Sequence, residues 1–347
     1  MIELVGLPRV EFYRALGAYD LNAVQASRVW RAIYVDGARS FDGIENLGRA
    51  AKQTLTTQFK IGRPGVSADQ TSTDGTRKWL MRLDGGHDVE TVFIPHEENG
   101  SLCVSSQVGC TLACSFCHTG TMPLLRNLKP AEIVGQMLHA RDVFGDWERP
   151  REERIVSNIV MMGMGEPLYN YPAVRQALSV IMDGDGIALS KRRIVLSTSG
   201  IVPMIERCGK DLGVELAISL HAVTDALRDE LVPINKKWPI AVLLDEVRRY
   251  PTLRNTRRIL FEYVMLDGVN DTDAEARELV RLLEGIPSKV NLIPFNPWPG
   301  SAYAPSPPER ISAFAQIVRD GGIGCPVREP RGRDILAACG QLKSATP

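Results

Sequence analysis

Residues 102–117 read Leu-Cys-Val-Ser-Ser-Gln-Val-Gly-Cys-Thr-Leu-Ala-Cys-Ser-Phe-Cys. The first half predicts a strand over 102–108. The second half places Cys110, Cys114 and Cys117 in a Cys-x3-Cys-x2-Cys loop directly after it, flanked by Gly109 and Gly120. Three thiolates this close in sequence can converge on one centre, and thiolates suit zinc or iron–sulfur clusters. A structural zinc needs a fourth ligand; His118 stands uncomfortably close to Cys117, and Cys103, Cys208, Cys325 and Cys339 are distant in sequence. A four-iron cluster on three thiolates leaves one iron open to bind and activate a ligand, so the spacing and context favour a cluster over zinc.

Outward from this loop the chain alternates β-branched runs with amphipathic stretches. Strands are expected at 102–108, 155–162, 194–198, 214–220, 259–265 and 289–294, and helices at about 130–143, 172–183, 201–209, 239–249, 272–284 and 308–320. Six such βα units predict a parallel sheet, either an incomplete barrel or a doubly wound sheet. Both fold types bind ligands at the C-terminal ends of their strands. Those ends carry Gly109-Cys110, Gly163-Met-Gly165-Glu166-Pro167, Ser197-Thr-Ser199-Gly200, Ser219-Leu-His221 and Pro294-Phe-Asn296-Pro297. Any one could be turn punctuation, but five polar ends on one predicted face point to a site.

Upstream, Val10 to Leu16, Val24 to Ile33 and Leu47 to Phe59 show helical spacing, so residues 1–60 read as a helical module. Residues 61–95 read as a β-rich bridge, with Lys78 to Leu83 and Val89 to Ile94 forming a hairpin around Gly85-Gly86. The 347 residues are 44% hydrophobic and 24% charged, the profile of a globular protein of about two domains or one large barrel with an appendage. The 41 Lys and Arg balance 41 Asp and Glu, so no whole-molecule field draws the chain to nucleic acid or an anionic membrane. Local basic runs remain: Lys191-Arg192-Arg193, Lys236-Lys237, Arg248-Arg249 with Arg254, Arg257 and Arg258, and Arg328 with Arg331 and Arg333. No window is long and apolar enough to span a bilayer, and no secretory signal opens the chain; a cytoplasmic protein without a membrane partner is expected. Seven cysteines, an odd number, speak against a disulfide framework.

The Cys loop after the first strand of a six-unit βα array, with Phe116 before its third cysteine, resembles the radical S-adenosylmethionine (SAM) superfamily. Val89-Glu90-Thr91-Val92, Cys103 to Cys110, Gly163 to Pro167, Leu196 to Gly200, Ser219-Leu-His221, Pro294 to Pro297 and Arg331-Gly-Arg-Asp-Ile-Leu-Ala-Ala-Cys-Gly-Gln341 are together similar to its RlmN and Cfr group of RNA adenine methyltransferases. The likeness runs from about Glu90 to Leu342 and is looser in the N-terminal helices. It implies an α/β fold: a partial (β/α)6 radical SAM barrel over 96–335, an RNA-binding accessory module at 1–60, the bridge at 61–95, and a segment at 336–347 carrying a methyl-accepting cysteine.

The resemblance also implies roles. Cys110, Cys114 and Cys117 hold a [4Fe-4S] cluster, and Gly165, Glu166, Ser197, Ser219, Leu220, His221 and Asn296 line the SAM site. Carbon 2 of adenine is electron-poor, so direct transfer of a methyl cation to it is chemically unpromising. In the group, one SAM methylates a C-terminal cysteine, matched by Cys339, and a second yields a radical that takes hydrogen from that methyl. The resulting carbon adds to adenine, and Cys103 resolves the adduct through a disulfide that must then be reduced. Glu90 matches the proton acceptor. Two SAM are used per turnover, with an electron donor whose identity the sequence does not give. The expected partners are 23S rRNA and, for RlmN-type members, tRNA at the adenosine 3′ of the anticodon; a monomer is expected.

Taken without the resemblance, Cys103 and Cys208 read as core, and Glu90 as the solvent side of a strand. Cys325 has no assigned role. His118 departs from the small residue usual in the group, and Glu329-Pro330 from a Lys-Thr pair. The long helical N-terminus favours methylation at C2; a Cfr-type enzyme acting at C8 of the same rRNA adenosine is the alternative. From other classes, a zinc-stabilised non-catalytic RNA-binding module leaves Cys103, Cys339, Glu166 and Asn296 unexplained, and a radical enzyme with a small-molecule substrate gives no reason for Cys339.

Overall fold

The computed structural model describes residues 1–251, 253 and 257–344. Arg254 of the basic run, and 345–347 of the C-terminal segment, lie outside the described residues. In chain order the elements are β1 (Ile2–Glu3), α1 (Arg9–Gly17), α2 (Ala23–Tyr34), α3 (Arg49–Gln58), β2 (Phe59–Lys60), β3 (Gly65–Thr71), β4 (Arg77–Arg82), β5 (Asp88–Pro95), β6 (Gly100–Cys103), β7 (Gln107–Val108) and β8 (Arg126–Asn127). There follow α4 (Pro130–Phe144), β9 (Val156–Met161), α5 (Tyr171–Met182), β10 (Ile194–Thr198), α6 (Val202–Asp211), β11 (Glu215–Ser219), α7 (Asp225–Leu231) and α8 (Ile240–Arg248). The chain ends with β12 (Ile259–Met265), α9 (Asp273–Leu282), β13 (Ser288–Pro294) and α10 (Pro308–Asp320).

Nine strands form one sheet in the order β13-β12-β11-β10-β9-β6-β5-β4-β3. The six from β13 to β6 are parallel and run in sequence order, each beside the next. A doubly wound sheet reverses its order at a switch point, so the two sequence expectations resolve to the incomplete (β/α)6 barrel. Residues such as Leu216, Ala217, Ile218, Phe261 and Leu292 are buried on strands covered on both faces.

The expected strand over 102–108 is two elements. β6 stops at Cys103, and the chain turns out of the sheet before β7 pairs with β8. The hairpin of the bridge is present as β4 and β5, joined antiparallel, and β5 pairs with β6, so the bridge extends the barrel sheet. β3, fully exposed along its length, carries no apolar alternation that sequence could reveal.

At the N-terminus α2 opens with an Asn22/Gln25 capping box and buries Val29, Trp30 and Ile33. Phe12 of α1 meets the Trp30 ring edge-on at 5.1 Å. The module docks on the barrel through Gln176, whose Nε2 donates to Gly6 O at 2.9 Å. Among the described residues no helix is long and apolar enough to cross a membrane.

Candidate active site

The cysteine loop is folded by backbone constraints before any metal is considered. Gly109 sits at φ +80°, and a Cβ there would fall 2.0 Å from Pro123 O, so only glycine lets the chain turn under the loop. Cys117 N donates to Cys114 O at 3.1 Å and Gly120 N to Cys117 O at 3.0 Å. All three cysteines are free thiols. Burial pushes Cys110 up to about 12, and the charge of Cys117 adds to it. Burial likewise raises Cys114, with Cys117 and Cys110 acting in the same direction. Burial raises all three thiols, a cost that an iron–sulfur centre would relieve, since coordination deprotonates a thiol outright. Among the described residues, no three His, Cys, Asp or Glu side chains gather tightly enough to hold one metal ion. Three thiols gathered in one loop beside a polar cavity suit an iron–sulfur cluster. The residues fit the cluster.

Beside this loop, at the C-terminal ends of β9 to β13, lies a cavity of about 140 Å³. Cys114 and Cys117 bound it on one side, and Gly165, Glu166, Ser197, Ser219 and His221 line it. Gly165 adopts φ +97°, and a Cβ would lie 2.5 Å from that of Gln107; this close approach lets Gln107 Oε1 accept from Glu166 N at 2.8 Å. Glu166 accepts from Leu168 N at 3.0 Å and Ser199 N at 2.9 Å, while burial pushes its carboxyl up to about 7. A carboxylate held by two amides in a dry pocket is suited to an ammonium group. Ser197 Oγ and Ser219 Oγ stand 3.5 Å apart.

His221 adopts φ +62°, and its Nδ1 accepts from Val264 N at 3.1 Å, which leaves the ring proton on Nε2. Burial, reinforced by Arg228, pushes the imidazole down to about 3. The ring meets Phe116 edge-on at 4.6 Å.

Two of the expected SAM-site residues adjoin this cavity without lining it. Leu220 does not line the cavity; its backbone N donates to Glu262 O at 3.1 Å and its carbonyl accepts from Arg228 Nε at 3.0 Å. Asn296 lines a second, larger cavity of about 760 Å³. Its Nδ2 donates to Cys339 O at 3.1 Å and its Oδ1 accepts from Arg333 Nε at 2.8 Å.

Cys339 lines both cavities. The segment carrying it is docked on the cysteine loop: His118 N donates to Gly340 O at 2.7 Å and Thr119 Oγ1 to Leu342 O at 2.6 Å. The unusual His118 also stacks on Trp298 at 4.6 Å. Cys339 is exposed as a residue, yet the protein packed around its thiol pushes it up to about 11, with Arg328 opposing. Cys103 is buried, which pushes its thiol up to about 12, and Cys339 and Glu90 add to that rise. The two thiols and the carboxylate therefore share one neighbourhood.

Glu90 corrects the expectation of a solvent-facing position: it is 4% exposed. On β5, Thr91 faces α4, where its hydroxyl donates to Gln136 Oε1 at 2.7 Å. Glu90 faces the other way, and the C-terminal segment covers it, with Lys343 N donating to its Oε2 at 2.8 Å. Lys78 Nζ lies 2.9 Å from Glu90 Oε1 and also donates to Leu336 O at 3.3 Å. Sequence reading passed over Lys78, Gln107, Arg228 and Glu262. Alternation on β4 could have turned Lys78 inward; the others gave no signal. Cys208 and Cys325 are buried.

The sequence profile described as the radical SAM superfamily matches residues 104–280. Curated dual-specificity RNA methyltransferases named RlmN are 58% identical in Granulibacter bethesdensis, over 99% of this chain and 87% of the relative, and 57% identical in Paracoccus denitrificans, over 99% and 90%. The chain belongs to the RlmN family. A solved radical SAM methyltransferase from Sphaerobacter thermophilus, 40% identical, covers 99% of both chains with a TM-score of 0.92. Family membership makes the chain a SAM-dependent radical methyltransferase with a [4Fe-4S] cluster, and sets aside the zinc-stabilised, non-catalytic reading. Cys110, Cys114 and Cys117 are the thiols that suit that cluster, and the cavity beside them carries the carboxylate and hydroxyls that suit SAM.

Proposed function

We propose that this protein methylates C2 of a specific 23S rRNA adenosine and of the adenosine 3′ of the anticodon in tRNAs, using Cys339 as methyl carrier. The observation that carries the reading is that Cys339 faces both cavities. One adjoins the cysteine loop; the other, rimmed by His96, Arg328 and Arg331, is roomy enough for an unstacked base. When bound, the cluster and SAM supply a methyl group and a hydrogen-abstracting radical.

The residues of the chain do the rest. Cys339 gives up its proton and accepts the methyl, and Arg328 eases that ionisation. Arg331, on the rim of the larger cavity, offers charge to RNA phosphates. Once the methyl-derived carbon is joined to adenine, Glu90 takes the proton from C2. Cys103, as its thiolate, attacks Cys339 sulfur: the S–S bond forms as the S–C bond breaks, the carbon leaves with the RNA and takes up a proton to become its methyl group, and the unpaired electron left from the radical addition passes from the sulfur pair back to the electron-transfer partner. A dithiol reductant then restores both thiols, and a low-potential donor supplies the electron for the radical step. The enzyme acts as a cytoplasmic monomer.

Cys339→Ala is expected to abolish methylated product and adduct alike. Cys103→Ala is expected to trap protein covalently on RNA as a band of reduced mobility, sensitive to nuclease. A Cys103→Ala protein that turns over normally and leaves no such band removes Cys103 from the mechanism.

A further inference from the structure

Glu262 takes no part in the roles assigned above. It lies in the middle of β12, 3% exposed, on the lining of the cavity beside the cysteine loop. In register it faces Ser219 on β11 and Asn291 on β13. With Ser197 on β10, these residues make a polar row across four neighbouring strands whose other inward positions are largely apolar.

The two oxygens of Glu262 are treated unequally. Oε1 accepts from Asn291 Nδ2 at 2.9 Å and from Arg328 at 3.4 Å. Oε2 is buried and has no hydrogen-bond partner among the described residues. A buried carboxylate oxygen without a donor is costly to maintain, and Asn291 and Arg328 are both committed to the other oxygen. A ligand in the cavity that Glu262 lines would supply the missing donor.

The surroundings narrow its chemistry. Glu166, at the ends of β9 and β10, is already placed for an ammonium group. Glu262 stands next to Ser219, whose hydroxyl meets that of Ser197 at 3.5 Å, a long contact that leaves the pair a further proton and lone pairs for a ligand. A carboxylate oxygen beside such hydroxyls is matched to the vicinal hydroxyls of a ribose, the pairing that acidic residues make in dinucleotide sites. We propose that Glu262 Oε2 binds the ribose of S-adenosylmethionine, accepting a hydrogen bond from a ribose hydroxyl with Ser219 alongside. Asn291 and Arg328 turn the carboxylate so that this oxygen faces the ligand.

The inference rests on the cofactor and not on the RNA assignment, and its test contains no RNA, so the two can fail separately. S-adenosylhomocysteine and its 2′,3′-dideoxyribose counterpart would be titrated calorimetrically into cluster-loaded wild-type, Glu262→Gln and Glu262→Ala proteins. The wild type should bind the dideoxy compound about tenfold or more weakly, as expected for hydrogen bonds to a charged acceptor. Glu262→Ala should lose about tenfold in affinity for S-adenosylhomocysteine and discriminate correspondingly less between the two ligands, with Glu262→Gln in between. If Glu262→Ala fails to hold its cluster, the isosteric Glu262→Gln carries the comparison. Wild-type affinity in both variants overturns the proposal. So does an equal loss for both ligands, which would place the carboxylate against the adenine or the amino-acid end.

Discussion

His221 is held neutral by the fold, with its Nδ1 engaged by Val264 N and its pKa pushed down to about 3 by burial. Unfolding returns the ring to its ordinary value near 6.5. Because the folded value is the lower one, His221 contributes stability that is fully present above pH 6.5 and is lost as pH falls from there toward 3. By linkage the loss reaches about 3 kcal/mol at pH 4. Chemical denaturation of the cluster-free protein at pH 7 and pH 4 should show a smaller acid loss for His221→Gln than for the wild type; parallel losses contradict the assignment. At this scale the cysteine loop was legible because its ligands are contiguous. The burial of Glu90 was not, because the segment that covers it comes some 250 residues later.

At the scale of elements, the helices that alternate with strands were legible from apolar spacing, whereas α7 was passed over. Its sequence, Asp-Ala-Leu-Arg-Asp-Glu-Leu, looks like a solvated turn, yet Arg228 within it is fully buried. The guanidinium donates to Leu220 O at 3.0 Å, Ser199 O at 2.7 Å, Ser219 O at 3.0 Å and Asn235 Oδ1 at 2.8 Å. One side chain of α7 thus ties down the ends of β10 and β11, where the cavity is built. Arg228→Met leaves those carbonyls buried without donors, and should destabilise the protein by about 3 kcal/mol or more. A shift of the urea midpoint equivalent to less than about 1 kcal/mol would show that the strand ends hold themselves. The strand expected at 102–108 misled in the opposite way. Its β-branched run is continuous in sequence, but Ser105 and Ser106 leave the sheet: Ser105 N donates to Gln136 Oε1 at 2.9 Å and Ser106 N to Met164 O at 2.9 Å.

Over the whole molecule, the sheet matters because it brings the bridge strands and the C-terminal segment to one place. β4 and β5 extend the barrel edge, and the C-terminal segment crosses them, anchored by Gly332 N on Asp74 at 2.8 Å, Leu336 O on Lys78 and Lys343 N on Glu90. Sequence could show six βα units but could not choose between barrel and doubly wound sheet, since strand order depends on long-range pairing that local periodicity does not record. Nor could it show that the bridge belongs to the same sheet as the barrel. The docking predicts a specific fragility: Lys78→Met leaves Glu90 buried without its cation, a loss of about 3–5 kcal/mol. In hydrogen exchange, amides of residues 336–343 should lose protection while the strands β9 to β13 keep theirs. Unchanged protection at 336–343 would mean that other contacts hold the segment.

The central claim, that this chain methylates C2 of RNA adenosines through Cys339, is tested most directly by nucleoside mass spectrometry. The iron-reconstituted protein is incubated anaerobically with S-adenosylmethionine, a reductant, and 23S rRNA or tRNA. 2-Methyladenosine should appear in both RNAs and be absent with Cys339→Ala; 8-methyladenosine alone, or no methylated adenosine from a protein with an intact cluster, would contradict the claim.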